Sequence, residues 1–267
     1  MSEAAESVVL VERRGNVMIV TLNRPEVHNA CNLAMWVAAG EALEEAEADP
    51  EVRVVVVTGA GERTFSAGAD LKAVMRGEPA RPDDPVRAAW GFAGIANHPI
   101  SKPVIAAVNG NAMGGGTELA LGCDLVVAVD SARFGLSEVK VGLFAASGGV
   151  FRLPRQIPPK LAMEMILTGE PIDARRALEA GLVNYVVPRA ELMDKALDLA
   201  ARIAANAPLS VQASKRIALR IVDAAFDDER DDWRRTEEEM AKLATSEDAK
   251  EGPRAFAEKR APQWKAR

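Results

Sequence analysis

A glycine-rich turn followed by a lone glutamate is the part of this sequence best suited to chemistry. The stretch NAMGGGTELALGCD, residues 111–124, places three glycines shortly before Glu118. Amides in the first turn of a helix lack intrahelical partners and carry the positive end of the helix dipole, and glycine lets a ligand approach them closely. The pattern favours a site for an oxygen that gains negative charge, with Glu118 beside it to move protons. The alternative is a tight packing point with Glu118 on the surface.

Two further stretches favour the chemical interpretation. TFSAGADL, residues 64–71, follows a buried strand and puts small residues at a corner where a second amide can be exposed. FGLSEV, residues 134–139, places Glu138 within one strand and its return of Glu118. Two carboxylates and two backbone donors in one cleft suit proton transfer next to a thioester or ketone carbonyl.

Other kinds of site are disfavoured. In VRVVVVTGAGERT a strand is followed by Gly59-x-Gly61, but Thr64 stands where the dinucleotide fingerprint needs its third glycine. No phosphate-binding lysine follows a glycine cluster, and Ser147 lies in AASGG rather than in the G-x-S-x-G of serine hydrolases. The two histidines have no partner at metal-ligand spacing, and two cysteines are too few for a disulfide framework. We therefore expect no metal site.

Composition sets further limits. The chain has 267 residues, of which 48% are hydrophobic and 27% charged, as in soluble globular proteins. Its formal net charge of -6 argues against nucleic-acid binding. The lack of a long apolar run argues against a membrane span, and the acidic start MSEAAESVVLVERRG lacks the pattern of a signal peptide. We expect a cytoplasmic protein with no membrane or nucleic-acid partner.

Strands and helices alternate over the first two thirds of the chain. Asn32 is placed to cap a helix that runs to about Ala48, and Asp173 and Gly181 bound a shorter one. Another helix is expected to start at Glu118, and residues 76–86 predict a flexible loop near the place where a ligand enters. The strands are predicted at 7–12, 17–22, 52–58, 103–109, 125–129 and 183–187.

The pattern changes after Pro188. No strand-like run follows, and helical segments are expected at about 190–206, 208–226, 228–245 and 247–258. The run DDERDDWRRTEEE, residues 227–239, is heavily charged, which is typical of a solvated helix face. We therefore expect a helical appendage to an α/β core.

Several motifs together resemble one family. FSAGADLK, KPVIAAVNGNAMGGGTELALGCD, FGLSEVKVGL and LTGEPIDARRALEAGLVNYVV, with LNRPEVHNA near the start and FAEKR near the end, are similar to the enoyl-CoA hydratase/isomerase, or crotonase, superfamily. The resemblance implies an α/β fold in which a crotonase-like spiral of ββα units, containing the active site, spans residues 1–188. It implies a C-terminal helical trimerisation region over residues 189–267, and a homotrimer or homohexamer.

The resemblance also implies the chemistry. The substrate is then an acyl-CoA, with coenzyme A as part of the substrate and no separate cofactor. The backbone N–H groups of Ala69 and Gly115 form the oxyanion hole, and Glu118 and Glu138 are the acid/base pair. Members that hydrate enoyl-CoA carry glutamate at both positions, so the pair favours reversible addition of water to a 2-enoyl-CoA.

The expected contacts with CoA come from the same resemblance. The residues expected to bind CoA or substrate are Arg24, Ala67, Asp70, Leu71 and Lys72. Lys259 in FAEKR is placed to extend to the ligand of a neighbouring subunit. Taken alone, each of the cations Arg24, Lys72 and Lys259 is better explained as a solvated surface charge.

One segment departs from the usual pattern of the family. After Glu138, LFAASGG stands at residues 143–149 where hydratases often have I-P-G-A-G-G. The following VFRLPRQIPP resembles the carnitinyl-CoA dehydratase branch as much as the fatty-acid branch. The length and substituents of the acyl group therefore stay open. The alternatives are a carnitinyl-CoA-like dehydratase, an enoyl-CoA isomerase, a non-catalytic acyl-CoA-binding homologue and an acyl-CoA thioester hydrolase.

Overall fold

The computed structural model of the protein describes residues 7–267. The segment MSEAAESVVLVERRG, on which the signal-peptide argument rests, therefore lies partly outside the described residues. The strands are β1 (Val9–Arg14), β2 (Val17–Leu22), β3 (Val54–Gly59), β4 (Thr64–Ser66), β5 (Val104–Val108), β6 (Asn111–Met113), β7 (Leu125–Val129), β8 (Arg133–Gly135), β9 (Ile172–Asp173), β10 (Tyr185–Val187), β11 (Ile221–Val222) and β12 (Ala225–Phe226). The α-helices are α1 (Leu33–Ala48), α2 (Leu71–Met75), α3 (Pro85–Ala89), α4 (Gly115–Gly122), α5 (Gly149–Gln156), α6 (Pro159–Thr168), α7 (Ala174–Ala180), α8 (Leu192–Ala204), α9 (Pro208–Ala218), α10 (Arg230–Ala244) and α11 (Glu247–Ala257).

A six-stranded sheet forms the centre of the fold. Its order is β1-β2-β3-β5-β7-β10, antiparallel between β1 and β2 and parallel elsewhere. Every residue of β3 and β5 is buried, as expected of parallel strands that are covered on both faces. The bounds predicted for β2 and β7 are confirmed.

A second sheet turns the core into repeated units. It has the order β4-β6-β8-β9. Two long strands of the first sheet are each followed by a short strand of the second sheet and then by a helix, in the orders β3-β4-α2 and β5-β6-α4. This confirms the expected succession of ββα units. Because β4 and β6 are parallel neighbours, the segments that follow them leave the sheet side by side.

Helix caps explain where the predicted bounds were right and where they were wrong. The Asn32 side chain accepts a hydrogen bond from the Met35 amide at 3.1 Å, and α1 ends at Ala48 as predicted. The helix in the glycine turn begins at Gly115, three residues before the predicted start at Glu118. The predicted loop 76–86 ends early, because Asp84 caps α3 and a proline occupies its first position.

The C-terminal third is helical with one exception. α8 packs on β3, β5 and β7 and contributes to the main hydrophobic core. The helix predicted over 208–226 was wrong, because α9 ends at Ala218 and β11 and β12 form a hairpin. Asp223 and Ala224 make its two-residue turn with φ values of 49° and 54°, the backbone conformation that suits tight hairpins. A turn without glycine or asparagine gives little signal in the sequence.

The last helices return to the core. α11 packs on the 3-10 turn Glu138–Val141, so closely that a Cβ at Gly252 would overlap the Val141 carbonyl group. α10 packs against α11 and carries most of the charged run predicted as a solvated face. None of the helices that the structure describes is long and apolar enough to cross a membrane.

Candidate active site

Two backbone amides are free where the oxyanion hole is predicted. Gly115 is the first residue of α4, so its N–H has no partner within the helix, and Ala69 lies between β4 and α2. Among residues 7–267, neither amide finds a hydrogen-bond acceptor. A Cβ added at Gly68 would lie 2.9 Å from the Gly115 nitrogen. The two amides therefore come from segments that are in contact, as a shared oxyanion site requires.

Hydrogen bonds on both sides fix the segment that carries Ala69. The Cys31 N–H donates to the Gly68 carbonyl at 2.8 Å, and the Asp70 N–H donates to the Cys31 carbonyl at 2.9 Å. The Asp70 side chain accepts from the Ala73 amide at 3.0 Å and so caps α2. The Ala69 amide thus lies between two neighbours that are themselves fixed.

The three glycines are required by packing as well as by access. Gly114 has φ 54° and ψ -125°, a conformation that glycine adopts without the strain of a side chain. A Cβ at Gly115 would overlap the Phe92 ring, and one at Gly116 would overlap the Ser66 carbonyl group. The two interpretations of this stretch are therefore compatible, because the same bare backbone packs tightly and leaves the Gly115 amide free.

Glu118 is buried and held in one direction. It is 3% exposed, so its alternative placement on the surface was wrong. Its Oε1 accepts hydrogen bonds from the amides of Ser147 at 2.6 Å and Gly149 at 2.9 Å. Burial first, and then the Glu138 carboxylate, raises the pKa of Glu118 to about 8, against the opposing effects of the two amides and of Arg152.

Glu138 is held much less. It begins the 3-10 turn Glu138–Val141, and its Oε2 is buried without a hydrogen-bond partner among residues 7–267. Burial raises the pKa of Glu138 to about 7. A Cβ at Gly114 would lie 2.9 Å from Glu138 Oε1, which places this carboxylate at the glycine turn. The structure thus brings Glu138 and Glu118 to the same turn as the Gly115 amide.

The residues expected to bind CoA lie together, but several are already engaged. Arg24 Nη1 donates to Asp70 Oδ2 at 2.9 Å and to the Ala30 carbonyl at 2.7 Å. The Ala67 and Leu71 amides donate to the carbonyl groups of His28 and Ala69.

The predicted cations therefore differ in availability. Lys72 and Lys259 are exposed, whereas Arg24 is partly buried. The ion pair between Arg24 and Asp70 stabilises the segment that carries Ala69. The predicted contact of Arg24 with CoA stays a prediction, as do the predicted contacts of the other residues.

The sequence analysis missed the amides that hold Glu118. Ser147 lies just before α5 and Gly149 is its first residue, in the stretch AASGG, where the sequence analysis found a failed hydrolase motif and a departure from the family pattern but no contact with Glu118. The missed signal was a glycine-rich start of a helix, the same signal that pointed to Gly115. Within residues 7–267 no three His, Cys, Asp or Glu side chains are clustered as metal ligands would be.

Comparison with known proteins identifies the family. The sequence profile described as Enoyl-CoA hydratase/isomerase matches residues 12–267. The chain belongs to this family. Among curated members, a carnitinyl-CoA dehydratase of Salmonella typhi is 44% identical over 260 residues, which are 96% of this chain and 97% of the relative.

Solved structures of family members share the fold. The crystal structure of carnitinyl-CoA hydratase from Mycobacterium avium has a TM-score of 0.95 at 56% identity, covering 98% of this chain and 100% of the other. Enoyl-CoA hydratase from Mycobacterium tuberculosis H37Rv has a TM-score of 0.75 at 42% identity, covering 98% and 100%. The expected crotonase fold is therefore confirmed.

Proposed function

We propose that the protein is a hydro-lyase that reversibly adds water across the C2=C3 bond of a 2-enoyl-CoA thioester. The observation that carries the proposal is the meeting of the buried Glu118 carboxylate and the half-buried Glu138, whose Oε2 is buried, with the free Gly115 amide. Hydration needs a base for water, an acid for C2 and a donor for the carbonyl oxygen. The hydratase and dehydratase names of the relatives support the same class of reaction.

In the proposed reaction, one glutamate takes a proton from water as its oxygen bonds to C3. The π electrons of the double bond move toward the thioester carbonyl, whose oxygen becomes negative. The carbonyl then re-forms as C2 takes a proton from the other glutamate, and the pair has exchanged one proton. The amides of Ala69 and Gly115 stabilise the oxyanion, and one such donor is worth about 2.7–4 kcal/mol in other enzymes.

The electrostatics of the pair support this division of work. Burial raises the pKa of Glu118 to about 8 and that of Glu138 to about 7. Near neutral pH the two groups therefore share one proton, so that one serves as acid while the other serves as base. Ordinary exposed glutamates would both be ionised and would leave the reaction without an acid.

A carnitinyl-CoA-like dehydratase is the second candidate. Two relatives at 44% and 56% identity carry carnitinyl-CoA names. The segment VFRLPRQIPP, residues 150–159, resembles that branch as much as the fatty-acid branch. The chemistry at C2 and C3 is the same in both candidates, because dehydration is the reverse of hydration. They differ in the group at the far end of the acyl chain.

A panel of thioesters separates the candidates. We expect loss of the conjugated absorbance with short and longer 2-enoyl-CoA substrates, or its gain with carnitinyl-CoA. The substrate with the highest kcat/KM decides between them. Glu118→Gln and Glu138→Gln are the matched inactive controls, since both keep the size of the side chain.

The same panel tests the remaining alternatives. Release of free CoA thiol, detected with a thiol reagent, would mark a thioester hydrolase. A shifted double bond without a hydroxyl product would mark an isomerase. Binding of every thioester without turnover would mark a non-catalytic homologue and would refute the proposed function.

We further propose a homotrimer or homohexamer that acts in the cytoplasm, without a separate cofactor or a nucleic-acid or membrane partner. Helix α9 carries exposed apolar side chains, with Leu209 75% exposed and Ile217 79% exposed, which supports a contact between copies of the chain. The net charge of -6 supports the absence of a nucleic-acid partner. Light scattering of the purified chain tests the assembly, and a monomer would refute it.

A further inference from the structure

Arg152 lies directly behind the amides that hold Glu118. Its side chain is on α5, and a Cβ at Gly148 would lie 3.2–3.4 Å from Arg152 Cδ, Nη1 and Nε. Gly148 stands between Ser147 and Gly149, whose amides donate to Glu118. The guanidinium group therefore lies next to the short loop 147–149 at Gly148.

Glu229, the residue before α10, fixes the orientation of this guanidinium group. Helices α10 and α11 are called the C-terminal helical pair below. Arg152 Nε donates to Glu229 Oε1 at 2.9 Å and Nη2 donates to Glu229 Oε2 at 2.6 Å, a bidentate pair. The two side chains are 5% and 16% exposed. Trp233 Nε1 also donates to Glu229 Oε2 at 3.2 Å, so the carboxylate is itself fixed from α10.

Arg152 makes further contacts that exclude alternative positions. Its Nη1 donates to the Ala96 carbonyl, next to the turn that carries Phe92. Its guanidinium carbon lies 5.2 Å from the Phe226 ring centroid and 5.5 Å from that of Trp233. Phe226 ends the hairpin that the sequence did not predict. Removing either partner of such a buried pair leaves an uncompensated charge.

We propose that Arg152 and Glu229 are positioning residues through which the C-terminal helical pair fixes the 147–149 amides against Glu118. The inference rests on the proposed function, in which Glu118 reacts with substrate. It extends that function by making α10 a part of the catalytic geometry. The order of contacts is Glu229 to Arg152, Arg152 to the loop at Gly148, and the loop to Glu118.

Glu138 and Arg152 are the charged groups that shift the pKa of Glu118, the first raising it and the second lowering it. The other charged or titratable groups lining the cavity of about 1190 Å³ beside Arg152 are Cys123, Asp124, Arg155, Lys215, Asp228 and Glu229. Most of these are paired: Lys215 with Asp124 at 2.7 Å, Arg155 with Asp232 at 2.6 Å and Arg220 with Asp228 at 2.7 Å. Burial raises the pKa of Cys123 to about 12, so its thiol is neutral.

The chain offers a matched control on the same two helices. Arg155 and Asp232 form a second ion pair between α5 and α10 at 2.6 Å, but Arg155 is 51% exposed and does not back the loop. The test compares Arg152→Gln and Glu229→Gln with Arg155→Gln and Asp232→Asn. All four remove one charge from an ion pair that joins these helices.

We expect kcat to fall about 10- to 100-fold in Arg152→Gln, the scale of a misplaced catalytic group, with KM changed little. Loss of the cation should move the alkaline limb of the pH profile of the carboxyl pair to higher pH by about 0.5 unit or more, because Arg152 favours the ionised form of Glu118. Glu229→Gln leaves the cation uncompensated and should move the limb downward. The control variants should keep both kcat and the limb of the wild type.

A structural role alone predicts a different result. Arg152→Gln and Glu229→Gln would then lower thermal stability as the controls do and leave the pH limb in place, which would overturn the inference. If Arg152→Gln fails to fold, Glu229→Gln provides the test, because in that variant Arg152 keeps its hydrogen bond to the Ala96 carbonyl. Wild-type kcat and an unmoved limb in Glu229→Gln would equally overturn it.

Hydrogen exchange separates this inference from the proposed function. If the wild type turns over no thioester, the proposed function fails, and exchange of the peptide covering 145–151 still reports the loop. We expect faster exchange at Ser147 and Gly149 in Arg152→Gln and Glu229→Gln and wild-type exchange in the controls. Unchanged exchange in the first two variants would refute the positioning role, whatever the activity of the wild type.

Discussion

The two carboxylates of the site are supported in opposite ways. Glu118 lies on an α-helix and accepts hydrogen bonds from the backbone amides of Ser147 and Gly149. Glu138 lies on a 3-10 turn, and one of its oxygens is buried without a partner among residues 7–267. A carboxylate with two donors is fixed in direction, whereas one with a free oxygen keeps room for a further hydrogen bond. The pair thus combines one fixed group with one adaptable group.

Burial, rather than hydrogen bonding, decides their protonation. Two amide donors favour the ionised form of Glu118, and yet the pKa of Glu118 is raised to about 8 while that of Glu138 is raised to about 7. The pKa of the better-bonded carboxylate is raised all the same, because burial and the charge of Glu138 outweigh the effect of its two amide donors. The hydrogen bonds fix the direction of the Glu118 carboxylate, whereas the loss of solvent around it sets its pKa.

The C-terminal helices approach the two carboxylates separately. α11 packs on the turn that begins at Glu138, while the start of α10 reaches the Glu118 loop through Glu229 and Arg152. Changes in the two helices should therefore affect different members of the pair.

Removing either carboxylate should have the largest effect. Glu118→Gln and Glu138→Gln should each lower kcat by about 10²-fold or more, the usual contribution of a general acid or base. Steady-state kinetics on the preferred thioester measure it, with Glu170→Gln as control because Glu170 is exposed and pairs with Lys140 at the surface. Wild-type turnover in either active-site variant would exclude that glutamate from the reaction.

Displacing each carboxylate should separate the fixed group from the adaptable one. A Cβ at Gly149 would lie 3.0 Å from Glu118 Oε1, and one at Gly114 would lie 2.9 Å from Glu138 Oε1. We expect Gly149→Ala to lower kcat by about 10-fold or more and Gly114→Ala to lower it less, since Glu138 has room to shift.

Stability should rank these two variants the other way. Gly114 combines φ 54° with ψ -125°, a sparsely populated conformation in which a side chain costs roughly 1–3 kcal/mol, so Gly114→Ala should lose more thermal stability. Calorimetry of both proteins provides the measurement. A greater loss of turnover in Gly114→Ala would reverse the assignment of the fixed and adaptable groups.

The pH profile of kcat should be bell-shaped around neutrality. Turnover requires one protonated and one ionised carboxyl group, and the pKa values are raised to about 7 for Glu138 and about 8 for Glu118. The rate should fall below the lower value, where both are protonated, and above the higher value, where both are ionised. A rate that does not change through neutral pH would contradict this protonation state.

The pH dependence of stability should show the smallest effect. Both carboxyl groups have a folded-state pKa above 4.5, the ordinary value of a glutamate. Their stabilising contribution is therefore fully present below that value and is lost as pH rises through about 7 to 8. Glutamine carries no charge and avoids this loss.

Relative to wild type, Glu118→Gln should therefore gain roughly 1–4 kcal/mol of unfolding free energy on going from acidic to mildly alkaline pH. Glu138→Gln should gain less. Denaturant unfolding at both pH values tests the order, and an equal difference at both would show that neither group is perturbed.

The local elements and the kinds of groups at the site follow from short stretches of the sequence. Asn32 capped α1, continuous β-branched runs gave the buried strands, and the three glycines before Glu118 marked a helix start with free amides. Each of these features depends on neighbours a few residues apart along the chain, through caps, periodicity and backbone sterics. They are therefore readable without the fold.

How the two glutamates are held depends on contacts that form when the chain folds. Glu118 meets the amides of residues 147 and 149, and Arg152 meets Glu229, although each pair is far apart in the sequence. No local pattern specifies such contacts, because they arise where separate units pack and exclude water. The same burial raises the pKa values of both glutamates, since loss of solvent is a property of the folded interior and not of a residue type.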